Sequence, residues 1–134
     1  TEDVCRLLAE KFKRFYPVWY RKYRSAFEAG SWLKCDPGPF IGRAHVYKLQ
    51  TAIHLDDGDE DAPTAIFCYG SFKGGAMYFP DLPVKLQFSP GSIILSMSGI
   101  LYHGCEQWEP VAPTKEQDEL GLTAGRVSSV FFFP

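Results

Sequence analysis

The sequence has 134 residues, of which 46% are apolar and 16% aromatic, and its formal net charge is −2. This composition predicts a globular protein and excludes a disordered chain, which would contain few apolar and aromatic residues. The length suits a single domain spanning residues 1–134. The small net charge argues against general polyanion binding, and the excess of aromatic residues favours a β-rich core.

The cysteines and the hydropathy pattern bear on location. Four cysteines are widely spaced and form no CxxC motif, so reduced intracellular thiols are favoured over a zinc knuckle or a disulfide framework. No apolar run approaches the roughly 20 residues of a membrane-spanning helix, and no signal-like segment is present. We therefore expect a soluble nuclear or cytoplasmic protein with no membrane partner.

The first 30 residues have the pattern of amphipathic helices. Apolar residues recur at helical spacing through 4–15 and again through 19–27, with a break at Pro17 and an end at Gly30. The apolar stripe predicts a helical buttress, residues 1–30, that packs on a sheet.

This segment is also basic, with seven Lys and Arg against four Asp and Glu. Its central basic residues are Lys11, Lys13, Arg14, Arg21, Lys22 and Arg24. They form either a solvated helix face or, together with Arg43, a surface for nucleic-acid phosphates. Aromatic residues interleave with them, which fits base stacking and helix packing equally well.

Residues 43–133 alternate between short strand-forming runs and turn residues such as Gly74-Gly75 and Pro90-Gly91. The predicted strands are 43–49, 51–56, 64–70, 76–80, 84–88, 91–97, 100–106 and 125–133. About eight strands are typical of a double-sheet jelly roll. We therefore predict a mainly β fold with N-terminal helices, in which a cupin-like jelly-roll barrel follows a loop at 34–42. Residues 107–124 form a longer charged connection, a kind of loop that is often functional.

A histidine and an acid stand two residues apart in Thr51-Ala-Ile-His54-Leu-Asp56. On a strand, alternate side chains share a face, so His54 and Asp56 are expected to point the same way. His103 is the best candidate for a third ligand and would join them from another side of the barrel. Two imidazoles and one carboxylate form the facial triad that binds Fe(II) and leaves coordination positions open. The alternative is an ordinary strand histidine beside a solvated acid.

A basic and a polar side chain share a face near the C-terminal end, in Gly125-Arg126-Val-Ser128. A guanidinium group binds a carboxylate through two parallel hydrogen bonds, and the serine hydroxyl adds another. Arg126 lies in an apolar strand, where a buried charge needs an anionic partner. That partner is either a bound dicarboxylate or an acidic side chain of the protein.

Taken together, these motifs resemble the Fe(II)- and 2-oxoglutarate-dependent dioxygenases, whose signature is HxD…H…RxS on a double-stranded β-helix. His54-Leu-Asp56, His103 and Arg126-Val-Ser128 match that signature in order. The stretches 74–80 and 88–94 are similar to the family's middle strands. The resemblance covers about residues 43–133.

Within that superfamily the chain looks most like the Tet/JBP-like group, which oxidises methyl groups on DNA pyrimidines. The resemblance implies Fe(II) and the cosubstrates 2-oxoglutarate and O2, with His54, Asp56 and His103 as metal ligands. It also implies that Arg126 and Ser128 bind 2-oxoglutarate. The expected partner is DNA or RNA carrying a methylated base such as 5-methylcytosine. The alternatives are a prolyl-hydroxylase-like or small-molecule hydroxylase and a non-catalytic cupin-like binding module.

Overall fold

The computed structural model describes residues 2–30, 36–59 and 62–134. The helices are α1 (Glu2–Phe15), α2 (Pro17–Glu28) and α3 (Lys115–Glu119), and the strands are β1 (Gly42–Tyr47), β2 (Thr64–Gly74), β3 (Met77–Phe79), β4 (Val84–Leu86), β5 (Ile93–Ser96), β6 (Gly104–Cys105), β7 (Trp108–Pro110) and β8 (Gly125–Phe132). Among these, no helix has the length and apolarity needed to cross a bilayer. Lys34 and Cys35, the first two residues of the loop predicted at 34–42, lie outside the described residues.

The two N-terminal helices form where the sequence predicts them. Pro17 occupies the first position of α2, where its fixed φ and missing N–H are tolerated, so α1 and α2 separate at Tyr16. Leu8 and Phe12 are fully buried in α1. They form a cluster with Tyr23 of α2 and with side chains of the sheet. The prediction of an apolar stripe that packs on a sheet is therefore correct.

The strands form two antiparallel sheets. The larger has the order β1-β8-β2-β5, with β7 paired to the far end of β2, and the smaller has the order β4-β3-β6. Together the sheets curve into a half-barrel. The mainly β class with N-terminal helices is thus confirmed.

The larger sheet separates two hydrophobic clusters. Ala65 pairs with Phe131, and the next pair along the ladder is Ile66 with Val130. Because successive strand residues point to opposite faces, the first pair packs against the helices. The second pair faces the interior of the half-barrel. We call these the outer face and the inner face of the sheet.

Two element predictions are wrong. Residues 51–56 form no strand, and only residue 54 of that run makes a β-bridge. The backbone of this segment contacts three separate partners, at residues 98, 103 and 105, so no continuous ladder develops.

Residues 107–124 are not one irregular connection, because they contain β7 and α3. A capping box stabilises α3: the Thr114 hydroxyl accepts from the Gln117 backbone, and the Gln117 side chain accepts from the Thr114 backbone.

Candidate metal and cosubstrate site

Three side chains that the sequence singles out converge in the half-barrel. One ligand atom from each of His54, Asp56 and His103 lies within 4.8 Å of the other two. His54 Nε2 is 3.3 Å from one oxygen of Asp56, and His103 Nε2 is 3.6 Å from the other oxygen. His103 is almost fully buried, whereas the His54 side chain is 41% exposed. The group therefore has a closed side and a side open to solvent.

The backbone places the two histidines side by side. His54 and His103 form an isolated antiparallel bridge, with N–H to carbonyl distances of 2.9 and 3.0 Å. Their ring centroids are 4.5 Å apart. The expectation that His103 reaches the site from another side of the barrel is wrong, because the two residues are direct neighbours. Asp56 joins the two histidines from a turn, and its backbone N–H donates to the Ser98 carbonyl.

Both imidazole rings are oriented by backbone carbonyls. Nδ1 of His54 is 2.8 Å from the Ala52 carbonyl oxygen, and Nδ1 of His103 is 3.0 Å from that of Leu101. A carbonyl only accepts, so the proton resides on Nδ1 in both rings. In the neutral rings both Nε2 lone pairs then point towards the Asp56 carboxylate. Such second-shell hydrogen bonds are usual for histidines that bind metals.

These donor atoms fit a divalent cation. A cation between the three groups would be bound by both Nε2 lone pairs and by the Asp56 carboxylate. Ligand separations of 3.3 and 3.6 Å are close to the roughly 3 Å expected between neighbouring ligands with bonds of about 2.1 Å. Two nitrogens and one carboxylate, with other positions open, are the donor set favoured by non-haem Fe(II).

Arg126 is buried without an ionic partner. It is 3% exposed, and its Nε has no hydrogen-bond partner in the described part of the chain. No carboxylate among the described residues lies within ion-pair distance of it. The alternative of an acidic protein partner therefore has no support in the described residues. A buried, unpaired guanidinium is costly and is accounted for by an anionic ligand.

Strand β8 and the loop before β5 hold Arg126 in place. Its guanidinium lies over the Phe88 ring, 5.2 Å from the centroid, and its Nη1 is 3.5 Å from Ser128 Oγ.

Gly70 is the register partner of Arg126 on β2. Gly70 has a φ of +105°, and a Cβ there would lie 2.2 Å from the Gly125 carbonyl oxygen. Glycine is therefore required where β2 passes the start of β8.

The triad and Arg126 open into one cavity of about 620 Å³. Ser128 lines the same cavity, and its apolar wall includes Ile66, Met77 and Val130. This volume lies within the range of small-molecule sites. The structure thus brings together all five residues that the sequence selected.

The rim of the cavity is acidic. Asp57 and Asp59 line it, and Arg126 is the single Lys or Arg among the described lining residues. Burial, together with repulsion from Asp56, raises the pKa of Asp59 to about 6, although a hydrogen bond from Thr64 partly offsets the rise. The sequence shows an acidic run that begins at Asp56, but it does not show that this run lines the cavity. The position of the Phe88 ring under Arg126 also has no local sequence signal.

The basic N-terminal segment lies away from this cavity. Its aromatic residues Tyr16, Trp19 and Tyr20 pack against the outer-face cluster, which supports the packing interpretation. Arg43 forms an ion pair with Asp36 at 2.8 Å and lies over the Phe131 ring on the outer face. Helix packing, rather than contact with a substrate bound at the cavity, therefore accounts for these aromatic residues.

Comparisons with known proteins identify the fold. No protein-family model matches the sequence, and no curated protein matches it significantly. The structure is similar to NgTET1 in complex with 5mC DNA, with a TM-score of 0.67 and 12% identity over 99% of this chain and 48% of that chain. It also matches the structure of OsALKBH1, with a TM-score of 0.46 and 21% identity over 60% of this chain and 42% of that chain. This chain thus spans about half the length of the first structure and less of the second. At 12% identity this likeness concerns the fold, and the predicted jelly-roll, double-stranded β-helix fold is confirmed.

Proposed function

We propose that this protein is an Fe(II)- and 2-oxoglutarate-dependent dioxygenase that hydroxylates a C–H bond. One observation supports the proposal above all others: the His54–Asp56–His103 group shares a cavity with a buried guanidinium that has no acidic partner among the described residues. A metal-binding group alone fits many proteins. A metal-binding group beside a buried anion-binding group fits a site for a metal and a dicarboxylate.

Each residue has a distinct role in this proposal. His54, Asp56 and His103 hold the iron. Arg126 binds the distal carboxylate of 2-oxoglutarate, and Ser128 donates a further hydrogen bond to it. When bound, iron and 2-oxoglutarate supply the activation of O2, with release of succinate and CO2 as the substrate is hydroxylated. The apolar wall of Ile66, Met77 and Val130 limits the access of water to the bound cosubstrate.

A direct test is to add Fe(II) and 2-oxoglutarate without oxygen and to record the visible charge-transfer band of the chelate. Oxygen is then admitted, and succinate is measured. We expect both the band and the release of succinate. A band without succinate would support a binding module, and the absence of both would contradict the metal site itself.

For the substrate, we propose first a methylated nucleic-acid base such as 5-methylcytosine. The likeness to NgTET1, whose structure contains 5mC DNA, supports this choice. The cavity also has room for more than a five-carbon dicarboxylate. The test compares succinate release with methylated and unmethylated DNA and RNA of the same sequence. Stimulation by the methylated forms alone is expected, and equal background release from all of them would contradict the proposal.

The acidic rim favours a second candidate, a protein side chain. Asp57 and Asp59 stand at the cavity, and their charges repel a phosphate backbone more than a neutral or basic peptide. A peptide pool is therefore the second arm of the same succinate assay. Release with peptides but not with nucleic acids would favour this candidate over the first.

A further inference from the structure

A connected set of polar side chains lies beside Asp56, away from its metal-facing oxygens. The Ser98 hydroxyl donates to Thr64 Oγ1 at 2.7 Å. Thr64 also interacts with the Asp59 carboxylate and lowers its pKa. Ser98 is 0% exposed and Thr64 is 1% exposed, so both hydroxyls are shielded from water.

The same residues also hold the backbone of Asp56. The Asp56 N–H donates to the Ser98 carbonyl at 3.1 Å, and the Asp59 N–H donates to the Asp56 carbonyl at 3.2 Å. Together with the Thr64–Asp59 interaction, these hydrogen bonds connect Asp56, Ser98, Thr64 and Asp59 in a closed loop of contacts. We call these bonds the Asp56 clamp.

The clamp compensates for a weakness in the local structure. Asp56 lies in no strand, so no ladder fixes its direction, unlike the two histidines that pair with each other. Thr64, in contrast, begins the long strand β2. The preceding residue, Pro63, accepts a hydrogen bond from the buried Tyr23 hydroxyl of α2 at 3.1 Å. The clamp thus connects a turn to a rigid part of the fold.

We propose that Thr64 and Ser98 are positioning residues that hold Asp56 in its metal-binding orientation. This inference rests on the proposed function, because it assumes that Asp56 binds the metal. Loss of a hydrogen bond made directly to a metal ligand commonly lowers metal affinity by about 10- to 100-fold. The two hydroxyls act one contact further from Asp56, so a loss near the low end of that range is expected. The clamp acts through the backbone of Asp56 and through the neighbouring Asp59.

The test compares the metal affinity of four variants. Ser98→Ala and Thr64→Val each remove one hydroxyl of the clamp. Thr64→Ser keeps the hydroxyl and serves as the conservative rescue. Ser96→Ala is the matched control, because Ser96 pairs with Thr64 on β5 and its buried Oγ has no partner among the described residues.

Dissociation constants for Mn(II) are measured on the full chain, together with the free energy of unfolding without metal. The charge-transfer band of the anaerobic Fe(II) and 2-oxoglutarate complex gives a spectroscopic readout of the metal's ligand field. We expect about a tenfold or greater loss of Mn(II) affinity and a shifted band in Ser98→Ala and Thr64→Val. Thr64→Ser and Ser96→Ala should match the wild type.

Two results would overturn the inference. The first is an Mn(II) affinity equal to that of the wild type in both Ser98→Ala and Thr64→Val. The second is a loss of Mn(II) affinity in Ser96→Ala as large as in those two variants, which would indicate general packing damage. If the wild-type protein itself bound no metal, the proposed function would fail first and the clamp with it. The wild-type measurement thus separates the two failures.

Discussion

The two faces of the larger sheet consist of the same strands but are packed in opposite ways. On β8 the outer face carries Phe131, which packs with the fully buried Phe12 and with other aromatic rings. The inner face carries Arg126 and Ser128, which line an open cavity. The outer face is covered by the helices and aromatic rings. The inner face combines the second hydrophobic cluster with an open cavity and a buried guanidinium that has no ionic partner among the described residues.

This difference separates stability from binding. Burial of apolar surface stabilises the fold, so the outer face is expected to supply much of the free energy of folding. A buried charge without a partner destabilises the free protein and stabilises a complex with an anion. Substitutions on the two faces should therefore affect different measurements.

The largest expected effect is on the outer face. Phe12 contacts the rings of Tyr20, Tyr23 and Phe40. Phe12→Ala should lower the free energy of unfolding by about 3–5 kcal/mol, because it removes a buried ring and leaves a cavity. Urea denaturation measures the change, and Phe12→Leu, which fills most of the space, should lose less. A loss under about 1 kcal/mol for Phe12→Ala would contradict the assignment of stability to this face.

On the inner face, Asp56→Asn should lower metal affinity by about 100-fold or more, since it removes the negative charge of the triad. The free energy of unfolding without metal should change by less than about 1 kcal/mol, because the Asp56 side chain is partly exposed and lies in no strand. Calorimetric titration with Mn(II) measures the metal affinity, and urea denaturation measures the free energy of unfolding.

Asp57→Asn is the matched control, because it removes the adjacent carboxylate, which lies outside the triad. Equal losses of affinity in both variants would argue for a general charge effect.

Arg126→Met should weaken 2-oxoglutarate binding by about 1.5–3 kcal/mol, the range for charge-assisted hydrogen bonds. The free protein should be as stable as the wild type or more stable, since the buried unpaired charge is gone. Titration of the anaerobic Fe(II) complex with 2-oxoglutarate gives the affinity.

Arg126→Lys keeps the charge but loses the planar fork, and an intermediate affinity is expected. Unchanged binding in Arg126→Met would reassign this residue to a structural role.

The smallest effect concerns an inner-face thiol. Burial raises the pKa of Cys68 to about 11 from an ordinary 9.0, and the nearby Arg126 partly offsets the rise. Between these values the folded protein keeps a proton that the unfolded chain has lost, so the free energy of unfolding falls as pH rises from 9 to 11. Below pH 9 this contribution is fully present. Cys68→Ala should show a shallower decline in urea denaturation over that range, and identical slopes would contradict the shift.

The sequence alone was enough to select the candidate site residues and to predict the general fold. Periodicity predicted the helices, and alternation with turn residues predicted most strands, since both patterns reflect which side of an element is buried. The order of His54, Asp56, His103 and Arg126 identified the candidate ligands, because these residue types have few uses in apolar surroundings.

Only the tertiary structure decided how those residues meet. Residues 51–56 have strand-forming composition, but their backbone contacts two segments, at residue 98 and at residues 103–105, which no local pattern encodes. Two further features involve residues that are distant in sequence. Arg126 has no acidic partner among the described residues, and the clamp holds Asp56 through Ser98 and Thr64. Burial and hydrogen bonding are properties of the folded arrangement, so a local pattern predicts which groups need partners but not which partners they find.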